Sequence, residues 1–191
     1  ANANDAVVNA DALQTALASG NVTISTSGAG SQSGNITVAS NLGWSSSRVL
    51  TLSAAGGISG WGNINMTGGS PGVVFDQAGN STYSGIISGA SSSAMLTKQG
   101  IGTLTLAGAN TYKSTTVSAG VLKLGSSTAL GTTTAGAVTI SAGAALDLNG
   151  QTISSSDAKA LTLNGTGVAD GGALFNSSST AARRHERISS P

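Results

Sequence analysis

The dominant pattern along the chain is a three-residue unit of aliphatic, threonine, aliphatic. It recurs at Val22-Thr23-Ile24, Ile36-Thr37-Val38, Leu50-Thr51-Leu52, Leu104-Thr105-Leu106, Val138-Thr139-Ile140 and Leu161-Thr162-Leu163. In an extended chain successive side chains leave opposite faces, so each unit puts two aliphatic groups on one side and a hydroxyl on the other. The first three copies begin at residues 22, 36 and 50, a constant step of fourteen, whereas later copies keep no single spacing. Thr23, Thr37, Thr51, Thr105, Thr139 and Thr162 are therefore expected to form an outward polar ladder over an aliphatic interior.

Further short strands fit at Ile64-Asn65-Met66, Val73-Val74-Phe75, Val121-Leu122-Lys123-Leu124 and Leu146-Asp147-Leu148, separated by Gly, Ser and Asn turns. Helix signals are confined to residues 11 to 18, where Leu13 and Leu17 share a face and Gly20 supplies a stop. Many short strands suit a sandwich, a barrel or a solenoid. A sandwich needs aromatic cores and matched hairpins, and no clear two-residue Asn-Gly hairpin precedes Asn149-Gly150, so the pattern favours a solenoid whose coils stack strand on strand. At roughly 20 residues per coil such a chain holds roughly 8 to 9 coils and rises about 40 Å.

Composition sharpens this all-β expectation. Only 8% of the 191 residues are charged and 3% aromatic, while 39% are hydrophobic and the net charge is +1. Disorder goes with low hydrophobicity and high net charge, so a thin core of small side chains fits better. Eight Lys and Arg against seven acids leave no basic surface for nucleic acid, and no amphipathic or long apolar stretch points to direct membrane insertion. The absence of Cys removes disulfides and thiolate metal sites. No charged leader followed by an apolar run opens the sequence, so an exported protein is expected to present mature sequence here.

The run Ala78-Gly79-Asn80-Ser81-Thr82-Tyr83-Ser84-Gly85-Ile86-Ile87-Ser88-Gly89 is followed by Leu96-Thr97-Lys98-Gln99-Gly100-Ile101-Gly102-Thr103-Leu104-Thr105-Leu106. An Asn closely followed by Tyr, as in Asn80-Ser81-Thr82-Tyr83, returns with one residue fewer between them at Asn110-Thr111-Tyr112, and Thr115-Thr116-Val117-Ser118-Ala119-Gly120-Val121-Leu122 closes the unit. In residue order this stretch resembles the β-strand repeat of bacterial autotransporter passengers, and residues 20 to 66 resemble, less specifically, rungs of filamentous haemagglutinin-type adhesins. The resemblance implies a right-handed parallel β-helix, secretion across an outer membrane with a translocator domain in the parent protein, and adhesion or self-aggregation at the cell surface. It carries no catalytic residues. The expected organisation is an N-terminal segment or cap with a short helix at 1–20, a β-helix at 21–176 with the autotransporter-type repeat at 78–131, and a flexible tail at 177–191. Gly100 and Gly102 are expected at positive-φ bends, Asn80 and Asn110 in turns, and Tyr83 and Tyr112 at the coil edge with their phenols at water.

Patterns with chemical potential are few. Gly68-Gly69-Ser70-Pro71-Gly72 fits G-x-S-x-G, but a nucleophile elbow needs a strand-to-helix turn and a His base, and the single His is His185 within the charged run Arg183-Arg184-His185-Glu186-Arg187. That run reads as a solvated tail or an expression remnant. Asp5, Asp11, Asp76, Asp147, Asp157, Asp170 and Glu186 include no D-x-D pair, so paired-carboxylate catalysis and calcium loops lack ligands. Chance supplies most of the Asn-x-Ser/Thr triplets at Asn21, Asn35, Asn65, Asn80, Asn164 and Asn176 in so Ser/Thr-rich a chain, and glycosylation at them stays open. No cofactor is expected. A non-enzymatic adhesin or self-associating passenger fragment, acting by repetition on a like molecule or a host protein or glycan, is the leading expectation. A passive stalk for an effector domain comes second, and ice binding third, weakened by the irregular later spacing.

Overall fold

The computed structural model describes residues 7–26, 33–89, 93–132, 136–154, 157 and 159–184. One helix, α1 (Ala10–Ser19), precedes the strands β1 (Val22–Ser25), β2 (Ile36–Val38), β3 (Leu42–Trp44), β4 (Val49–Ala54), β5 (Ile58–Gly60), β6 (Ile64–Met66), β7 (Gly72–Gln77), β8 (Ser81–Tyr83) and β9 (Ile87–Ser88). Then follow β10 (Met95–Gln99), β11 (Thr103–Leu106), β12 (Ser114–Val117), β13 (Gly120–Leu124), β14 (Ala137–Ile140), β15 (Ala144–Asp147), β16 (Thr152–Ile153), β17 (Ala160–Leu163), β18 (Leu174–Phe175) and β19 (Arg183–Arg184). Helix α1 forms because Asn9 caps it, accepting a hydrogen bond from Ala12 N–H at 3.0 Å, and Leu13 and Leu17 are buried beneath it. It packs on β1 and β3. No helix among the described residues is long and apolar enough to cross a membrane.

The strands form a parallel β-solenoid. A first sheet runs β1-β4-β7-β10-β12-β14-β17, a second β2-β5-β8-β11-β13-β15-β18 and a third β3-β6-β9, with β16 beside β19. Every strand pair among the described residues is parallel. Within the stretch read from sequence as a tail, Arg183–Arg184 therefore pairs with Thr152–Ile153. Along the first sheet Val22, Leu50, Val73, Leu96, Thr115, Val138 and Leu161 lie side by side, giving coil steps of 28, 23, 23, 19, 23 and 23 residues. Each long sheet has seven strands, fewer than the coils expected at 20 residues each, because most coils spend 23 residues in going round.

The fourteen-residue step has a different meaning from a coil. Val22-Thr23-Ile24 and Leu50-Thr51-Leu52 stack directly, whereas Ile36-Thr37-Val38 lies on the second sheet beside Ile58–Gly60. Within the long first coil the first fourteen residues lead from the first sheet to the second, and the next fourteen return to the first by way of β3 on the third. Similarly, the recurrence of Asn closely followed by Tyr joins non-equivalent places, since Tyr83 ends β8 on the second sheet and Tyr112 precedes β12 on the first.

The interior is a set of vertical rows. One contains the buried Leu52, Phe75, Lys98, Val117 and Ile140, and ends on the half-buried Ile24 and the exposed Leu163. In the second sheet Tyr83, Leu106 and Leu124 stack, all without exposed surface. Tyr83 and Tyr112 are thus core residues and not edge covers. Tyr83 meets Phe75 edge to face at 5.3 Å and donates its phenol hydrogen to Gly62 O, while Tyr112 donates to Ala129 O. An interior short of aromatics places the bulky rings it has at its centre, where a buried backbone carbonyl satisfies each hydroxyl.

Corners follow from close stacking. Gly100 does take a positive φ of 72°, but Gly102 does not. A Cβ at Gly102 would meet Gly79 O at 2.1 Å, so this glycine is required by the approach of the coil below. Asparagines tie successive corners. Asn21, Asn35, Asn41, Asn63 and Asn80 each accept through Oδ1 from a backbone N–H one coil on, at Val49, Gly57, Asn63, Ile86 and Thr103 respectively. Three of the six Asn-x-Ser/Thr triplets begin with these rung-to-rung ties.

Candidate functional site

The sequence-derived threonines do not form one ladder. Thr23, Thr51, Thr139 and Thr162 lie on the first sheet, and Thr37 and Thr105 on the second. On the first sheet the register produces a longer row than the motif predicts: Thr23, Thr51, Val74, Thr97, Thr116, Thr139 and Thr162. Thr97 and Thr116 escape the motif because Lys98 replaces one flanking aliphatic residue and Thr115 the other. A 23-residue offset from Thr116 to Thr139 to Thr162 would have found one of them. Thr23 and Thr162 are exposed and the others half-buried, so hydroxyls stand at intervals of about 4.8 Å over an apolar interior.

The second sheet has a different outer face. Thr37 lies beside Ser59, and the row Thr82, Thr105, Lys123, Asp147 passes from neutral to charged. Asp147 is almost wholly covered, because Ser177 folds over it and donates from its backbone N–H at 2.9 Å and from its hydroxyl at 2.6 Å. Lys123 Nζ lies 3.6 Å from Asp147 and donates to Ser177 Oγ at 3.0 Å. Burial pushes the Asp147 carboxyl up, but the bonds from Ser177 and Asn149 and the charge of Lys123 outweigh it and hold the group below the usual value.

Two ammonium groups sit inside. Lys98 has no exposed surface, and its Nζ donates to Gln99 O at 2.6 Å, Gly100 O at 2.7 Å and Ala119 O at 3.4 Å. Lys159 donates to Tyr112 O, Lys113 O and Leu130 O, with Nζ 5.1 Å from the centre of the Tyr112 ring. Burial lowers both to about 8, opposed at Lys98 by Asp76 and at Lys159 by Asp157. Their carbonyl partners lie at irregular corners. The third sheet stops at β9, and there Ile87 N–H bonds the buried Asn110 carboxamide in place of a next strand. Such ammonium groups tie corners together and present no reactive group to solvent.

Ser70 lies in the turn between β6 and β7, with its N–H on Ser47 Oγ and no helix following. His185 lies outside the described residues. Among the described residues no three His, Asp or Glu side chains converge. Two adjoining open grooves of about 360 and 460 Å³ lie along the third sheet beside α1.

Among known families, the passenger-associated-transport-repeat matches residues 96–124. This segment spans β10 to β13 and includes the short 19-residue step, Lys98 and Gly102. No curated protein and no solved structure gives a significant match. Residues 96–124 therefore form an autotransporter passenger repeat, built into a parallel β-solenoid.

Proposed function

We propose that the chain is a non-enzymatic passenger fragment of an autotransporter, exported to the cell surface or secreted by a translocator domain of its parent protein. It mediates self-association, and through it cell aggregation, adhesion and biofilm formation. The observation that carries this reading is the row of six threonines interrupted only by Val74 on the first sheet. A regular line of neutral hydroxyls offers many weak hydrogen bonds to a like surface, and multiplication over rungs and over cells turns weak contacts into avidity.

The test displays the chain on cells and compares it with a Thr51→Lys, Thr97→Lys, Thr139→Lys variant. These rungs alternate, so the new charges stand about 10 Å apart, close to one Debye length, and repel each other little within a molecule while opposing a second molecule over the whole row. Clumping is expected to disappear with the melting temperature nearly unchanged. In the parent it should survive chelator and weaken only modestly with salt. A variant that clumps as well as the parent, or calcium-dependent clumping, would move the reading to a passive stalk.

A further inference from the structure

The third sheet has a different surface from the threonine row. Its outward positions Gly43, Asn65 and Ser88 lie side by side, between buried Leu42, Trp44, Ile64, Met66 and Ile87. Helix α1 forms one wall, fixed by Gly43 N–H on Gln14 Oε1 at 2.8 Å and by Ser46 Oγ–H on Leu17 O. The groove between them is lined by Gln14, Asn41, Asn63, Asn65, Ile86 and Ser88, and no charged side chain lines it.

Its carboxamides are pre-oriented. Asn41 Oδ1 accepts from Asn63 N–H at 2.8 Å, and Asn63 Oδ1 from Ile86 N–H at 2.9 Å. Each side chain is thereby locked, and among the described residues neither Nδ2 donor has a protein partner. Two fixed, unused donors thus stand one coil apart, about 4.8 Å, comparable with the length of one sugar ring. Asn65 adds a third carboxamide, held by Ser88 Oγ–H at 3.0 Å. At the corner leading into this face, two residues before Asn63, the Trp61 indole is 66% exposed, on a turn pinned by Trp61 N–H and Gly62 N–H to Val38 O. An indole left in water on a rigid turn is an uncovered apolar plate.

We propose that this groove binds a neutral oligosaccharide. Carboxamide donors pair with hydroxyl and ring oxygens, the indole covers the C–H face of a pyranose, and the uncharged lining selects neutral over sulfated or acidic sugars. Donors held before binding lose little freedom on it, which favours a ligand of many weak polar contacts. The inference goes beyond self-association through the threonine row, and free sugar on purified chain tests it separately.

The experiment screens the purified chain against immobilised neutral and acidic oligosaccharides, then titrates the best neutral one by calorimetry against the parent, Trp61→Ala, Asn65→Ala and the Thr51→Lys, Thr97→Lys, Thr139→Lys variant. Among the described residues neither the Trp61 nor the Asn65 side chain bonds to backbone, and the Trp61 N–H bond to Val38 O survives substitution, so both single variants are expected to keep the parent melting temperature. Each should bind about tenfold more weakly or worse, while the threonine variant binds as the parent does. Failure of every neutral sugar to bind, a preference for acidic sugars that fades with salt, or equal binding by Trp61→Ala and Asn65→Ala would overturn the proposal.

Discussion

Leu106→Ala is the sharpest probe of the rung register. Leu106 lies between Tyr83 and Leu124 in an inward row, and all three lack exposed surface. Removing a buried leucine to its Cβ costs about 2.7 to 5 kcal/mol, depending on how far the surroundings close over the void. Closure is restricted here, because the rungs on either side are held about 4.8 Å away by continuous backbone hydrogen bonds. A value near 4 kcal/mol is expected, or a fall in Tm of roughly 8 to 16 °C for a domain of this size. Thr105, one residue earlier, faces outward and is half-buried between Thr82 and Lys123. Thr105→Ala should stay within about 0.5 kcal/mol. The assay is thermal unfolding followed by circular dichroism, with urea midpoints as a check. Equal losses at 105 and 106, or a loss at Leu106 below about 1 kcal/mol, would refute the register.

Two pH effects follow from the buried charges. Lys98 and Lys159 fall from the ordinary lysine value of 10.5 to about 8 in the fold, so the unfolded chain binds more protons between these values and stability should rise as pH increases from 8 towards 10, by up to roughly 3 kcal/mol per lysine. Burial pushes the Tyr83 and Tyr112 phenols up, so the rise should reverse above about pH 10, where the unfolded chain ionises its tyrosines first; urea midpoints that fall steadily from pH 8 to 10 would contradict the lysine assignment. Asp147 is lowered, so its contribution is present above the ordinary carboxylate value of 3.8 and is lost as pH falls through its own lower value. Asp147→Asn should flatten that acid limb of the stability curve, and an unchanged limb would show that the Ser177 contacts contribute nothing.

The local pattern was legible in the sequence to the extent that each strand obeys one rule. Alternation of aliphatic residue and threonine identified strands such as Leu104-Thr105-Leu106, and the Leu13/Leu17 pair with Gly20 marked α1. The coil length was not legible, because a 28-residue step at the start and a 19-residue step at Leu96–Thr115 hide the 23-residue period from motif counting. Lys98 defeated the pattern for another reason. Hydrophobic patterning has no place for a cation in an inward row, and only the convergence of three carbonyl oxygens makes one tolerable there. Likewise the burial of Tyr83 and Tyr112 depends on acceptors at Gly62 and Ala129, which lie 21 and 17 residues away along the chain.

Cysteine scanning tests the proposed contact face most directly, since the chain contains no cysteine and each substitution introduces a single thiol. Thr51→Cys, Thr97→Cys and Thr139→Cys place it on the first sheet, and Thr37→Cys and Thr105→Cys on the second. A disulfide forms only where two Cα atoms approach within about 7 Å, so oxidation of clumped cells traps the surfaces that touch. Covalent dimers at the first-sheet positions and none at Thr37 or Thr105 are predicted. Dimers confined to Thr37 and Thr105, or absent at every position while the cells still clump, would contradict the account.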